Sequence, residues 1–292
     1  MSRTKKAVII GSVLVGIGVI IGFIGIAIGG FKFPNGAVDL TTMKALHTEK
    51  KTVQIADAFD KIEIAGASSM DIEICKSKTG KNYVEYYDTD DWTSHVDVKD
   101  HVLKFTTDDK GKHKAIVSLG FGKDTRTRIY LTDAEYKEIA VTTLSGYVTI
   151  QDVNAETVNV SASSGDLYMK NINVPDSIMA TSSSGDMDLV NVTAKQIELG
   201  ANSGDIEMQD ITTESLRMST SSGGIDLERC DAEEFDITTS SGDIDMEITA
   251  GRTYRFETKT NSGAVDVPDG DADSDYLCKI VTSSGDVDVK QK

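Results

Sequence analysis

Apolar and acidic residues alternate over the C-terminal half of the chain. Each of eight glycines is followed by apolar residues at the second and fourth positions, with mostly Asp or Glu between them. The glycines are Gly146, Gly165, Gly185, Gly204, Gly223, Gly242, Gly263 and Gly285. A period of two predicts strands with one buried face. Because the glycines recur every 19 to 22 residues, the pattern predicts a solenoid with one coil per repeat.

A second strand is predicted before each glycine. The residues seven and five places before it are mostly apolar, as with Ile178 and Ala180 before Gly185. The glycine is expected to supply a positive φ at a tight corner, and the Ser or Asn residues before it to bind turn amides. Cys230 and Cys278 fall on core positions, so we expect them to be buried hydrophobes.

The pattern is looser upstream of Gly146. Residues 62–74 look like a degenerate copy of the repeat with Met70 at the glycine place. Residues 95–105 are typical of two short strands around a turn, and residues 127–131 of another strand. Solenoids need atypical terminal repeats, and this region is a candidate cap.

Residues 7–31 are apolar except for Ser12. As a helix, this run would be about 37 Å long, enough to cross a bilayer core of about 30 Å. Arg3, Lys5 and Lys6 precede it, which predicts a cytoplasmic N-terminus and an extracytoplasmic C-terminal part. A cleaved signal peptide is the alternative, but the run is longer than such segments. We therefore predict a single-pass protein of the cell membrane.

These patterns divide the chain into four parts. Residues 1–32 are the cytoplasmic basic tip and transmembrane anchor, and 33–54 a juxtamembrane linker. Residues 55–145 are an irregular β cap, and 146–292 the regular solenoid. The fold class is therefore all-β, a parallel β-helix with coils of about 20 residues and an N-terminal transmembrane helix.

Small residues recur on one side of the predicted anchor. Gly18, Gly22, Gly25 and Gly29 are four or three residues apart, and such a face lets two helices pack closely. The anchor could therefore support a homodimer, although glycine is also ordinary in membrane helices.

The charge of the chain limits its partners. Residues 1–32 hold four of the 30 basic residues and none of the 47 acidic ones, which leaves −21 for the rest. Such a charge excludes nucleic acid as a partner and favours an extracytoplasmic protein, peptide or cation.

The stacked coils should align carboxylates into ladders. The residues directly after the glycines include Asp166, Asp186, Asp205, Asp243 and Asp286. Hard cations prefer several carboxylate oxygens, so this ladder is a speculative Ca²⁺ site. Solvated outward faces are the alternative, and the spacing is not that of the nine-residue Ca²⁺ repeat. We predict no other cofactor.

Catalytic patterns are missing from the sequence. The four histidines, His47, His95, His101 and His113, show no metal-ligand spacing. The Ser-Gly pairs are not followed by a predicted helix, as a nucleophile elbow requires. We therefore predict no catalytic residues and no enzyme.

The repeat resembles a known bacterial family. Residues 163–166, Ser-Ser-Gly-Asp, with their later copies, and residues 128–131 leading to 139–146 are similar to the β-strand-repeat family of "putative adhesins", which includes LiaG-like membrane-anchored proteins. Thr132 stands where the family usually has Pro. The resemblance implies a right-handed, parallel β-helix-like body and supplies no catalytic residues.

The leading functional hypothesis is a non-enzymatic, membrane-anchored module that acts by interaction, as an adhesin or in envelope stress. The alternative is a structural polymer of end-to-end coils, since the strand at residues 287–289 lacks an evident cap. A carbohydrate-active enzyme is a third hypothesis.

Overall fold

The computed structural model describes residues 37–39, 44–45, 48–89, 92–110, 116–118 and 126–292. Their regular structure is all β, as predicted. They belong to two compact units, one with a three-stranded antiparallel sheet and one with a sheet of 21 strands. None of these residues forms a helix that could cross a bilayer. The predicted anchor, residues 7–31, and its glycines lie outside the described residues.

The strands follow one another closely along the chain. The upstream strands are β1 Ala37–Asp39, β2 Lys44–Ala45, β3 Thr48–Gln54, β4 Lys61–Ser69, β5 Ile72–Lys76, β6 Tyr83–Thr89, β7 Trp92–Lys99, β8 Val102–Asp109, β9 Ile116–Ser118 and β10 Thr127–Leu131. The middle strands are β11 Glu135–Ser145, β12 Val148–Gln151, β13 Asn154–Ser164, β14 Leu167–Ser184, β15 Met187–Ser203, β16 Ile206–Thr212, β17 Ser215–Ser222, β18 Ile225–Asp231, β19 Glu234–Ser241 and β20 Ile244–Ile248. The last strands are β21 Arg255–Lys259, β22 Val265–Asp266, β23 Leu277–Ser284 and β24 Val287–Gln291. Strands β1, β2 and β9 form the small sheet.

Consecutive coils pair in parallel and in register. Ile178 in β14 pairs with Val158 in β13 on one side and with Ile197 in β15 on the other. We call the layer that follows the glycines the post-glycine sheet, and the layer that precedes them the pre-glycine sheet. The post-glycine sheet has ten parallel strands among the described residues, in the order β10, β5, β12, β14, β15, β16, β18, β20, β24 and β22. Nine rises make this layer about 43 Å deep.

The apolar residue of each alternating pair lies inside the coil. Met187, Leu189 and Ile206 are fully buried, while the acidic residues between such positions face outward. Burial of these side chains is the main stabilising contribution, on the order of 1.5–3 kcal/mol each. The predicted core positions of Cys230 and Cys278 are confirmed, and burial raises the pKa of both thiols to about 12. These thiols are therefore protonated at neutral pH and unreactive.

The predicted copy with Met70 at the glycine place is confirmed as a true coil. Ile62 pairs with Ile139, and Ile72 pairs with Val148. The amide of Met70 donates a hydrogen bond to the carbonyl oxygen of Ser145 at 3.1 Å. The parallel stack therefore begins upstream of residue 146, where the sequence placed the start of the regular solenoid.

The coils do not stack in chain order at the C-terminal end. Strand β23 lies between β19 and β21, and β24 lies between β20 and β22. The last coil of the chain is thus inserted beneath the coil of Gly263, which is outermost. The expectation of an open edge at residues 287–289 is wrong, because Val287 pairs with Ile244 on one side and Val265 on the other.

At the upstream end, too, the stacking order of the strands differs from their order in the chain. Strand β4 lies between β11 and β8, and strand β5 lies between β12 and β10. Strands β8 and β10 come later in the chain than β4 and β5, yet they lie outside them in the stack. Antiparallel strands then continue the sheets outward, with β7 on β8 and β6 on β10. This arrangement confirms the two short strands predicted within residues 95–105 and the strand at 127–131. The right-handed sense of the coil stays a prediction.

The repeat glycines stack into a column, which we call the glycine column. Glycine is needed there because a side chain would clash with the neighbouring coil, and not only because of φ. Gly204 has a φ of +139°, and a Cβ there would lie 2.2 Å from the carbonyl oxygen of Gly185. Gly165 is not among the glycines with a positive φ, yet a Cβ there would lie 2.1 Å from the carbonyl oxygen of Gly146. Close approach of neighbouring coils is therefore the more general requirement.

Candidate interaction surface on the acidic face

The outer surface of the post-glycine sheet carries two columns of carboxylates, which we call the acidic face. The inner-corner column is Asp71, Asp166, Asp186, Asp205, Asp243 and Asp286. The mid-strand column is Asp188, Glu207, Asp226, Asp245, Asp288 and Asp266. The predicted ladder is therefore brought together, except that Gly224 stands between Asp205 and Asp243 in the stack.

The inner-corner column is engaged with the backbone. Asp186 accepts a hydrogen bond from the amide of Asp205 at 2.9 Å, and Asp205 accepts one from the amide of Gly224 at 2.7 Å. Four further bonds of this kind are donated by the amides of Tyr147, Asp186, Asp286 and Ala264. The Ser or Asn residues before each glycine were predicted to bind the turn amides, whereas these aspartates bind them.

These hydrogen bonds bear on the speculative Ca²⁺ site. Each donated amide proton uses acceptor capacity that a cation would otherwise take. Within the described residues, no group of three or more His, Cys, Asp or Glu side chains is arranged to hold a metal ion. A bound Ca²⁺ on this column stays a prediction, and the observed geometry gives the carboxylates a structural role without it.

The central carboxylates of the mid-strand column have no cationic partner within ion-pair distance in the described part of the chain. None of the ion pairs among the described residues involves Asp188, Glu207, Asp226 or Asp245. Burial and the nearby charge of Asp186 raise the pKa of Asp188. Repulsion from Asp188, together with burial, raises the pKa of Glu207. Burial, Asp245 and Glu228 raise the pKa of Asp226.

Two shallow cavities lie on this face and share Glu207 and Asp226. One, of about 260 Å³, is bordered by Tyr168, Asp188 and Gln209 as well. The other, of about 170 Å³, reaches Asp205 and Asp245. The face therefore offers recesses lined by carboxylates, with a tyrosine at one side, to a partner that lies across several coils.

The outer surface of the pre-glycine sheet differs in charge. Several of its acidic side chains have cationic partners, such as Glu138 with Lys61 at 3.1 Å and Asp236 with Lys279 at 3.0 Å. Lys104 likewise pairs with Glu63 at 2.7 Å. The acidic face differs in having four successive carboxylates, those of Asp188, Glu207, Asp226 and Asp245, without an ion pair in the described part of the chain.

Each of five successive coils has a second corner, which the apolar pattern of the sequence did not predict. The sixth residue after the glycine has a positive φ in five successive coils, at Asp152, Asn171, Asn191, Asp210 and Arg229. Asn171 donates to Asp152 and Asn191 donates to Asn171, both at 2.9 Å. Asn and Asp tolerate this backbone conformation better than other non-glycine residues. Their recurrence at a fixed offset from the glycine was the available signal.

Comparisons with known proteins found a family model and several solved structures of low sequence identity. Residues 59–291 match the family model described as Toastrack DUF4097. A solved "putative adhesin" from Bacteroides fragilis is 18% identical with a TM-score of 0.49, covering 85% of this chain and 98% of that one. A "putative cell adhesion protein" from Clostridium sporogenes is 15% identical with a TM-score of 0.33, covering 85% and 100%. A "putative adhesin" from Parabacteroides merdae is 13% identical with a TM-score of 0.42, covering 84% and 96%. No curated protein matches the chain.

Proposed function

We propose that this chain, which belongs to the Toastrack DUF4097 family, is a non-catalytic binding module that a membrane anchor at residues 7–31 presents outside the cytoplasm. The acidic face binds a cationic protein or peptide partner there, in adhesion or in the response to envelope stress. The observation that carries the proposal is the unpaired charge at Asp188, Glu207, Asp226 and Asp245.

Geometry and electrostatics both support an extended cationic partner. Neighbouring coils hold the carboxylates about 4.8 Å apart, and two unit charges at that distance repel by about 0.9 kcal/mol even in bulk water. A partner with spaced lysine or arginine side chains would relieve this repulsion at several coils at once. Because the strands are already ordered, little conformational entropy would be lost from this side of the interface.

Several observations favour binding over catalysis. Within the described part of the chain, the acidic face repeats a carboxylate at the same strand position in successive coils. Acid–base catalysis needs neighbouring groups whose environments push their pKa values in different directions, whereas Asp188, Glu207 and Asp226 are all shifted the same way.

The alternative of an end-to-end polymer gains no support from the coil order. The outermost C-terminal strand of the post-glycine sheet, β22, has only two residues, and Pro268 follows it closely. Short edge strands and proline discourage pairing with another sheet. Light scattering at increasing concentration tests this point, and filaments would restore the polymer hypothesis.

The proposed function is tested with the full-length chain in a neutral detergent and a lysine-rich peptide as the probe. We expect salt-dependent binding that the variant D188N/E207Q/D226N weakens by about tenfold or more. The matched control D57N/D176N/E198Q removes the same charge from exposed positions elsewhere and should weaken binding far less. Equal losses in the two variants would show that only net charge matters and would overturn the proposal.

A further inference from the structure

Charges alternate along one line of the pre-glycine sheet. The same outward strand position in five stacked coils is occupied by Glu198, Arg217, Asp236, Lys279 and Glu257. We call this line the alternating column. Its signs are negative, positive, negative, positive and negative, whereas every member of the mid-strand column is acidic. These five coils therefore present a line of charges that nearly cancel.

The neighbouring line of outward residues is small and uncharged over four of these coils. It consists of Gly200, Ser219, Thr238 and Val281, each two residues beyond its member of the alternating column. We call this line the small column. Ser219 and Thr238 are exposed, and Gly200 has no side chain. Another sheet can therefore approach this part of the surface closely.

The alternating column is only partly paired within one chain. Asp236 lies 3.0 Å from the ammonium group of Lys279 and 3.9 Å from Nε of Arg217. Glu198 is exposed and has no ion pair among the described residues. The side chains of Arg217 and Lys279 remain 53% and 40% exposed. Glu198, Arg217 and Lys279 can therefore take partners from a second molecule.

We infer that this part of the pre-glycine sheet binds the same surface of a second copy of the chain. From Glu198 to Lys279 the signs are negative, positive, negative, positive, so the reversed order has the opposite sign at every place. A two-fold axis parallel to the strands, midway between β17 and β19, reverses the order of the coils and keeps the strand positions. Arg217 then faces Asp236 of the second copy, and Glu198 faces Lys279 of the second copy.

The same axis brings matching shapes together in the small column. Val281 faces Gly200 of the second copy, so the bulkiest member of the column lies opposite the one without a side chain. Ser219 faces Thr238 of the second copy, and their hydroxyl groups can donate to and accept from each other. Charge and shape therefore agree on one register, in which facing sheets pack about 10 Å apart.

The surface is large enough for a stable dimer. Six coils take part, in the order β14, β15, β17, β19, β23 and β21, and they span about 29 Å at about 4.8 Å per coil. Strand β17 has eight residues, which extend over about 26 Å. The contact therefore covers about 750 Å² per copy and about 1,500 Å² in total, within the usual range of about 1,200–2,000 Å². Met179, which is 49% exposed, lies within the covered area.

The charge of the whole molecule also favours this surface. Two copies with a formal charge of −17 each repel one another. A contact through alternating acidic and basic residues replaces part of that repulsion with attraction, and it leaves the acidic face uncovered. The inference therefore goes beyond the proposed function and does not depend on it.

Sedimentation velocity of the full-length chain in a neutral detergent measures the dimer. R217D sets carboxylates against carboxylates across the axis, and D236R sets guanidinium groups against guanidinium groups. Each variant alone should therefore raise the dissociation constant by at least about tenfold. An equimolar mixture of R217D and D236R should restore the dimer, because opposite charges face each other in the mixed pair. A misfolded variant could not give this rescue.

Matched controls separate this contact from one through the predicted anchor. K99D and D57R make the same changes in net charge at exposed positions elsewhere, and should alter the dissociation constant by less than about twofold. S219Y changes no charge but adds bulk beside the axis, and should also weaken the dimer by at least about tenfold.

Three results would overturn the inference. A wild-type chain that stays monomeric would leave this surface to a different partner. A dimer that neither R217D nor S219Y weakens would form through another contact, such as the anchor. Failure of the mixture to restore the dimer would show that the charges do not face each other as described.

Discussion

Asp243 accepts a hydrogen bond from the backbone amide of Asp286 at 2.8 Å, although 43 residues separate them in the chain. In turn, Asp286 accepts one from the amide of Ala264 at 2.7 Å. The carboxylate column therefore follows the spatial order of the coils rather than their order in the sequence. Each such bond ties one corner of the solenoid to the next.

The first prediction concerns this bond between coils. Asp243→Ala removes the acceptor for the amide of Asp286 and should lower the free energy of unfolding by about 1–2 kcal/mol. Asp243→Asn keeps a side-chain oxygen and should lose less. Urea denaturation of both variants measures the effect. A control substitution, Asp57→Ala, at an exposed residue outside the carboxylate columns, should be close to neutral. Equal stability of Asp243→Ala and wild type would contradict the structural role.

The second prediction concerns the glycine column. Gly204→Ala places a methyl group 2.2 Å from the carbonyl oxygen of Gly185, at a φ of +139°. Neighbouring coils would have to separate, so we expect a loss of about 3 kcal/mol or more. Gly200→Ala in the same coil meets only Cγ2 of Thr181 at 3.6 Å, and should be neutral or slightly stabilising. Thermal unfolding of the two variants provides the comparison, and similar losses would refute the close-approach argument.

The third prediction concerns pH. The raised pKa values of Asp188, Glu207 and Asp226 mean that the folded state holds these protons more tightly than the unfolded chain. Stability from this source is therefore present below the ordinary carboxyl pKa near 4 and is lost as the pH rises through the folded values. D188N/E207Q/D226N should raise the urea midpoint at pH 7 and leave it nearly unchanged at pH 3.

Two measurements make this pH prediction specific. The gain at pH 7 should shrink in high salt, because exposed charges are screened. The control D57N/D176N/E198Q should show a smaller gain, since none of those three positions belongs to the carboxylate columns. A midpoint at pH 7 that falls below the wild-type value in the acidic-face variant would count against repulsion on this face.

The fourth prediction concerns the side-chain packing at the C-terminal end, where the stacking order of the coils differs from the chain order. Tyr254 is buried, its ring centroid lies 5.7 Å from that of Phe235, and its hydroxyl donates to the carbonyl oxygen of Ala232 at 2.6 Å. Tyr254→Phe leaves that carbonyl without this donor and should cost about 1–2 kcal/mol, while Tyr254→Ala should cost about 3–5 kcal/mol. Tyr168→Phe, on the acidic face, should be neutral. Denaturant unfolding checks all three, and a neutral Tyr254→Ala would show that this aromatic contact does not hold the outer coil.

Much of the architecture could be predicted because the repeat carries its information locally. Alternation around each glycine identifies the buried and outward residues of a coil whatever its neighbour is. Cys230 and Cys278 were placed correctly for this reason, and so was Met70. The second corner at Asp152 and Asn171 was missed because the turn there is made by asparagine and aspartate, whose positive φ is not evident from the apolar pattern.

The sequence by itself determined the period of the solenoid, the inward residues of each coil and the existence of carboxylate columns on an outward face. Only the tertiary structure decided which coil lies next to which. Every coil offers nearly the same parallel edge and the same apolar positions, so several stacking orders satisfy the hydrophobic pattern equally well. Non-local contacts such as that of Tyr254 with Ala232, and the long connection at residues 267–276, accompany the order that this chain adopts. That order places the last coil beneath the coil of Gly263 and continues the column from Asp243 through Asp286.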